Sequence, residues 1–225
     1  MAKRQDRENP LLNIMLNVVI PVLIMTQLNE RLGALPALAL ALLFPVSYGA
    51  YDLLSQKRWN VFSLIGFISI LLTGGIGLLA LDKGWLVIKE TAVPLVLGII
   101  VLISQKMKKP LMMILLDQIF DMKKVKKLYA EQGKAGHYRN HMKYSSYFFA
   151  LTFFVSAILN FLVASIILVS EPGTPAYTEE IGRMTALSYP IIVVPTMVMM
   201  VGLMFYLIRT IEKHTKKQII EFLRI

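Results

Sequence analysis

The stretch YFFALTFFVSAILNFLVASIILV, residues 147–169, carries no charged side chain and a single amide, Asn160. As a helix rising about 1.5 Å per residue it crosses the roughly 30 Å hydrocarbon layer of a bilayer, where each backbone amide must be satisfied within its own segment. Five further runs share that character, at about 10–28, 35–54, 61–81, 91–105 and 187–208. The expected fold is therefore all-α: a polytopic transmembrane bundle of six spans, forming a single integral membrane domain over 1–225. Composition agrees, since 56% hydrophobic against 17% charged residues is too apolar for a soluble surface. The absence of cysteine excludes disulfides, thiolate metal sites and a cysteine nucleophile.

The net charge of +10 is explained by where the cations fall. Lys3, Arg4, Arg7, Lys57, Arg58, all of those from Lys106 to Lys143 and all of those from Arg209 to Arg224 share one side of a six-span chain. Only Arg31, Lys83, Lys89 and Arg183 take the other. The positive-inside rule puts the rich side, with both termini, in the cytoplasm. The basic excess is then a topology signal, and nucleic acid is not an expected partner. No cleavage site precedes Asn29-Glu30-Arg31, so the first run reads as an uncleaved span. Trp59 and Trp85 flank the third span, at the depth indole rings favour.

Four connections are short. The exception, between spans four and five, starts at Pro110, a residue suited to a first helical turn. Leu111, Ile114, Leu115, Ile119, Met122 and Val125 then recur at helical steps, with Asp117, Asp121, Lys123, Lys124, Lys126 and Lys127 at other positions. This reads as one cytoplasmic amphipathic interfacial helix over about 110–130, lying on anionic lipid and ended by Gly133 and Gly136. Residues 208–225 read as a second, weaker basic amphipathic helix.

Inside the spans, Asn9, Asn13 and Asn17 repeat every four residues on one face, Asn160 is mid-span, and Asp52 ends the second span beside Tyr48 and Tyr51. They read either as interhelical hydrogen bonds or as a polar path. Ala37 with Ala41, and Ser69 with Thr73 and Gly77, are small-residue stripes for close packing. Pro21, Pro45, Pro94 and Pro195 predict kinks. Catalytic constellations are missing: His137 and His141 have metal-pair spacing, but the sequence places no third ligand beside them and His214 lies in the tail. Gly74-Gly75-Ile76-Gly77 follows no strand and is no phosphate loop. No metal, cofactor or enzymatic activity is expected.

The run Gly74-Gly75, Trp85, Lys89, Thr91, Ser104-Gln105 and Lys108-Lys109-Pro110-Leu111 resembles, in order and spacing, the bacterial septation protein A family. One residue is missing before Lys108. The longer amino-terminal region, linker and outer loop point to a six-span relative rather than septation protein A itself. The resemblance implies an inner-membrane protein without catalysis, tied to envelope synthesis, division and membrane homeostasis through contacts with other membrane proteins. Lys108 and Lys109 precede a helix amino terminus and read either as a positive-inside anchor or as a site where free amides and the helix dipole favour an anion such as a phospholipid headgroup or isoprenoid phosphate. Two readings follow: an envelope protein binding lipid and protein partners, or a small transporter or lipid translocase with a polar path between kinked helices.

Overall fold

The computed structural model describes residues 14–55, 61–107 and 110–224, with the side chains of 52–55, 61–67 and 70 outside that description. Asn9, Asn13, Trp59, Lys108, Lys109 and the Asp52 side chain therefore lie outside the described residues, as do Lys3, Arg4, Arg7, Lys57 and Arg58. The described chain is helical, with no strand. A helical run α1 combines π turns Met15–Val19 and Ile24–Leu28, the α turn Ile20–Leu23 holding Pro21, and Asn29–Leu32. It is followed by α2 (Ala34–Ser55), α3 (Val61–Leu78), α4 (Lys83–Ser104), α5 (Leu111–Ile119), α6 (Met122–Glu131), α7 (Ala135–Ile167), α8 (Pro175–Ser188), a π turn Tyr189–Val193, α9 (Val194–Thr215) and a 3-10 turn Ile219–Phe222.

Four segments among the described residues are long and apolar enough to cross a membrane: Ala34–Tyr51, Lys83–Ser104, Ala135–Ile167 and Pro175–Thr215. Their large apolar side chains face outward, with Ile166 73% and Val198 66% exposed. A surface of that kind needs lipid rather than water against it. The 33 residues of α7 span about 50 Å, more than the hydrocarbon layer, so its polar first turns up to Ser146 lie outside the apolar part. The expected proline distortions divide unevenly. π turns border Pro21 and contain Pro190, next to Pro195, whereas Pro45 and Pro94 sit within helices that stay α.

Backbone contacts group the chain into two units. The first holds the chain up to Thr91 with Asn160–Ile191. Here the small-residue stripes pack as their composition predicts: Ala37 and Ala41 are fully buried, and a Cβ on Gly77 would stand 2.5 Å from the Leu38 side chain. Only a residue without a side chain allows that approach. Asn29 Nδ2 donates to Pro175 O (2.8 Å) and Thr178 Oγ1 to Ala34 O (3.3 Å), fixing the start of α8 against the α1–α2 turn. Glu180 accepts from the amides of Val169 (2.9 Å) and Ser170 (3.0 Å), satisfying donors just past α7.

The second unit holds Ala92–Leu159 with Ile192–Ile225. The single helix expected over about 110–130 is two helices: α5 stops at Ile119, Phe120 is extended, and Asp121 caps α6 by accepting from Lys123 N (3.1 Å) and Lys124 N (3.0 Å). The periodicity runs through 119–122 without a gap, which hides the break. Its buried seam is Met112, Leu116 and Phe120, then Met122, Val125 and Tyr129, all packed into the unit's own core with Leu203, Leu207 and Ile211. Ile114 and Ile119, expected on the same face, are exposed. Gly133, at φ +71°, makes the turn after α6, whereas Gly136 lies inside α7 rather than ending the linker helix.

The tail also departs from expectation. Lys216 adopts φ 55°, a left-handed conformation that stops α9, and the chain turns back so that Phe222 is completely buried. Asp121 N donates to Phe222 O (2.7 Å) and Arg224 N to Ile119 O (3.0 Å), while Arg224 Nη2 reaches Asp117 Oδ1 at 2.8 Å. Residues 208–224 are thus the end of α9 plus a docked return that takes the Phe222 ring out of solvent.

Candidate functional site

The residues around the motif run are drawn together in pairs. Lys89 Nζ donates to Thr73 Oγ1 (2.7 Å), beside Gly74-Gly75, and contacts Glu90 Oε1 (2.8 Å), with only 9% of the lysine side chain exposed. Thr91 Oγ1 bonds back to Val87 O, and Trp85 is exposed. In the second unit the buried Ser104 hydroxyl donates to Val101 O (2.7 Å) and accepts from Leu111 N (3.0 Å). That second bond satisfies one of the free amides at the start of α5 and fixes both ends of the basic loop.

Beside this staple lies a cavity of about 560 Å³, a size usual for small-molecule sites. Gln105 and Pro110 line it from the two sides of the loop, Lys126 from α6, and Tyr138, Arg139, Asn140 and Lys143 from the polar start of α7. Met112, Met113 and Met142 supply an apolar wall. Three of the lining residues are cations and none is acidic. None of the three is ion-paired among the described residues, and Lys143 rests over the Tyr147 ring at 5.7 Å. Gln105 Nε2 and the Tyr138 hydroxyl are buried without a hydrogen-bond partner among the described residues, Tyr138 being 5% exposed. Burial first, then Asp117 and Tyr129, holds the Tyr138 phenol well above its ordinary range, so at neutral pH it is a proton donor. Cations and unused donors around one space are groups suited to hydrogen-bonding an anion.

Of the lysines expected to bind lipid or anions, Lys126 lines the cavity. Lys123 is exposed, Lys124 donates to Glu221 O (3.0 Å) above the Phe222 ring, and Lys127 pairs with Glu131 (3.8 Å). Sequence reading missed Tyr138, Arg139 and Lys143 as site residues. The i, i+4 spacing of Arg139 and Lys143 was the available signal, obscured by the histidines of the same segment. Asn17 and Asn160 are each engaged in an interaction within the fold. Among the cavities described here, neither is a lining residue.

No family model, curated protein or solved structure matches this chain. The septation protein A resemblance rests on the residue run alone, and the cavity is read from its own chemistry.

The histidines need a correction. His214 does not stand apart: its ring centroid is 4.9 Å from that of His141 and 5.8 Å from that of His137, with Tyr129 stacked on it at 5.5 Å. Packing of α6 and α7 against the end of α9 assembles this cluster, which local spacing cannot reveal. His214 Nδ1 lies 2.8 Å from Thr210 O, and His141 Nδ1 lies 3.1 Å from the Tyr206 hydroxyl. Among the described residues no group of three metal-ligating side chains has metal-binding geometry. Burial, then His214 and His137, pushes the His141 pKa below its usual value.

Proposed function

We propose that the chain is a non-enzymatic protein of the bacterial inner membrane that supports envelope synthesis, division or membrane homeostasis by holding anionic lipid and docking other membrane proteins. The proposal includes six spans, cytoplasmic termini, placement of α5 and α6 at the inner leaflet, and kinship with the septation protein A family. The observation that carries it is the cavity of Lys126, Arg139 and Lys143, with no acidic lining residue and a methionine wall. Such a cavity attracts a negatively charged headgroup and shelters the start of its chain. A position at the cytoplasmic leaflet fits the anionic lipid found there, worth about 1 kcal/mol per cation near the surface. The test is lipid retention: the full chain purified into nanodiscs of mixed neutral and anionic lipid should hold anionic lipid in native mass spectra. The Lys126→Gln, Arg139→Gln, Lys143→Gln variant should lose it. Equal retention by both proteins refutes the reading.

The transport reading draws on one observation, the π turns Met15–Val19 and Ile24–Leu28 in α1, since such irregularities recur at functional sites. Under it, Asn17→Leu abolishes activity in cells with stability changed by less than about 2 kcal/mol. Full complementation by a stable Asn17→Leu protein removes it.

A further inference from the structure

We infer that the cavity takes a lipid phosphate monoester, a headgroup with a terminal phosphate on a hydrocarbon chain, in preference to the phosphodiester headgroups of bulk anionic lipid. This rests on the lipid-binding reading above and names the class of lipid.

Charge is the first argument. Lys126, Arg139 and Lys143 share one cavity, with no acidic side chain lining it and no ion pair on any of them among the described residues. Asp117, the carboxylate that acts on the Tyr138 phenol, is engaged by Arg224 Nη2 at 2.8 Å and by Met122 N at 3.3 Å. A phosphodiester brings one negative charge to three cations. A monoester brings about 1.5 to 2 at neutral pH, and adjacent cations draw it toward the dianion.

Donor geometry is the second argument. A monoester presents three terminal oxygens, a diester two. The residues lining the cavity include one arginine, two lysines, and Gln105 and Tyr138, whose Nε2 and hydroxyl are buried with no hydrogen-bond partner among the described residues. Buried polar groups are normally hydrogen-bonded, so two orphans on the wall of one cavity mark the place of a missing acceptor. The protonated phenol suits that role, since a phenolate would repel phosphate.

The wall is the third argument. Met112, Met113 and Met142 present flexible, polarisable thioethers, which adapt to an alkyl chain and offer nothing to a free ion. A cavity of about 560 Å³ exceeds what inorganic phosphate fills. The shared phosphate chemistry thus comes attached to a lipid.

The experiment uses the full chain in nanodiscs of neutral phosphatidylcholine, titrated with phosphatidic acid, with phosphatidylglycerol, or with inorganic phosphate. Binding is read from the thermal midpoint, and the phosphorus NMR shift of phosphatidic acid is followed against pH. Phosphatidic acid should bind about tenfold or more tighter than phosphatidylglycerol, with its second ionisation moved to lower pH, and inorganic phosphate should bind weaker than either lipid. Tyr138→Phe should weaken phosphatidic acid about tenfold while leaving the ligand-free midpoint unchanged or raised, because it deletes an unsatisfied buried hydroxyl. A purely structural tyrosine would lower the midpoint instead, contrary to the proposal. Arg139→Gln and Lys143→Gln, checked for helix content, should shrink the preference for the monoester. Equal binding of the two lipids overturns the monoester assignment while the broader lipid reading survives. Binding of neither above the neutral background overturns both. Inorganic phosphate binding as tightly as phosphatidic acid overturns the hydrocarbon half of the proposal.

Discussion

Truncating Phe222 to alanine tests whether the tail is fastened as described. The ring is fully buried in the second unit's core, with Lys124 Nζ 5.6 Å above it; the Phe222 carbonyl accepts from Asp121 N, and Arg224 bonds Ile119 and Asp117. Removing a buried Phe side chain costs about 3–5 kcal/mol when the site cannot collapse. Because the tail docks as a short segment, the loss falls on local opening more than on global unfolding, and 3 kcal/mol corresponds to an opening population about 150-fold larger. The assay is limited trypsin digestion at Lys216 and Lys217 in the intact, membrane-reconstituted chain, with hydrogen exchange at the Asp121 and Arg224 amides. Phe222→Ala should speed both by about 100-fold or more. Ile220→Ala, at a 64% exposed position, should change them by less than the equivalent of about 0.5 kcal/mol. Indifference of cleavage and exchange to Phe222→Ala would refute the docked tail.

Stability in detergent should fall as pH drops below about 6.5, because His141 in the folded protein resists the proton that the unfolded chain accepts, and loss should level off below its depressed folded pKa. His141→Gln should flatten that slope in thermal scans. Gly77→Ala should cost about 1–3 kcal/mol through overlap with Leu38, while Gly75→Ala, with nothing within 4 Å of the new methyl, should stabilise α3 by roughly 0.5–1 kcal/mol in chemical denaturation. Under the proposed topology, a cysteine at Glu171 should react with an impermeant thiol reagent in intact cells and one at Gln218 should not; labelling of Gln218 without lysis removes the six-span arrangement.

The long apolar helices were legible because hydropathy over twenty residues is a local property. Ala37, Ala41 and Gly77 were legible as packing stripes for the same reason. What escaped was set by capping and by tertiary return. Asp121 reads as one more polar residue on a helical wheel, yet its carboxylate ends one helix and starts another. Tyr138 carries no local mark of its packing on Tyr129 across the turn after α6, and His214 none of its packing on Tyr129, far back along the chain. Lys126 was named together with Lys123, Lys124 and Lys127, which spacing treats alike, and only the fold separates the one that lines the cavity from those committed to Glu221 and Glu131.

The bond between Leu111 N and Ser104 Oγ has a consequence for how this region can change over generations. A closure made by one hydroxyl and one backbone amide holds the two ends of a loop without regard to what runs between them. Adding a residue to a loop of this length raises its closure entropy only by a few tenths of a kcal/mol. The basic segment is therefore an exchangeable insert: an insertion or deletion there shifts the numbering of its lysines while Gln105 and Pro110 stay at the cavity wall. Substitution of Ser104, rather than a change in loop length, is what would release the start of α5 from the end of α4.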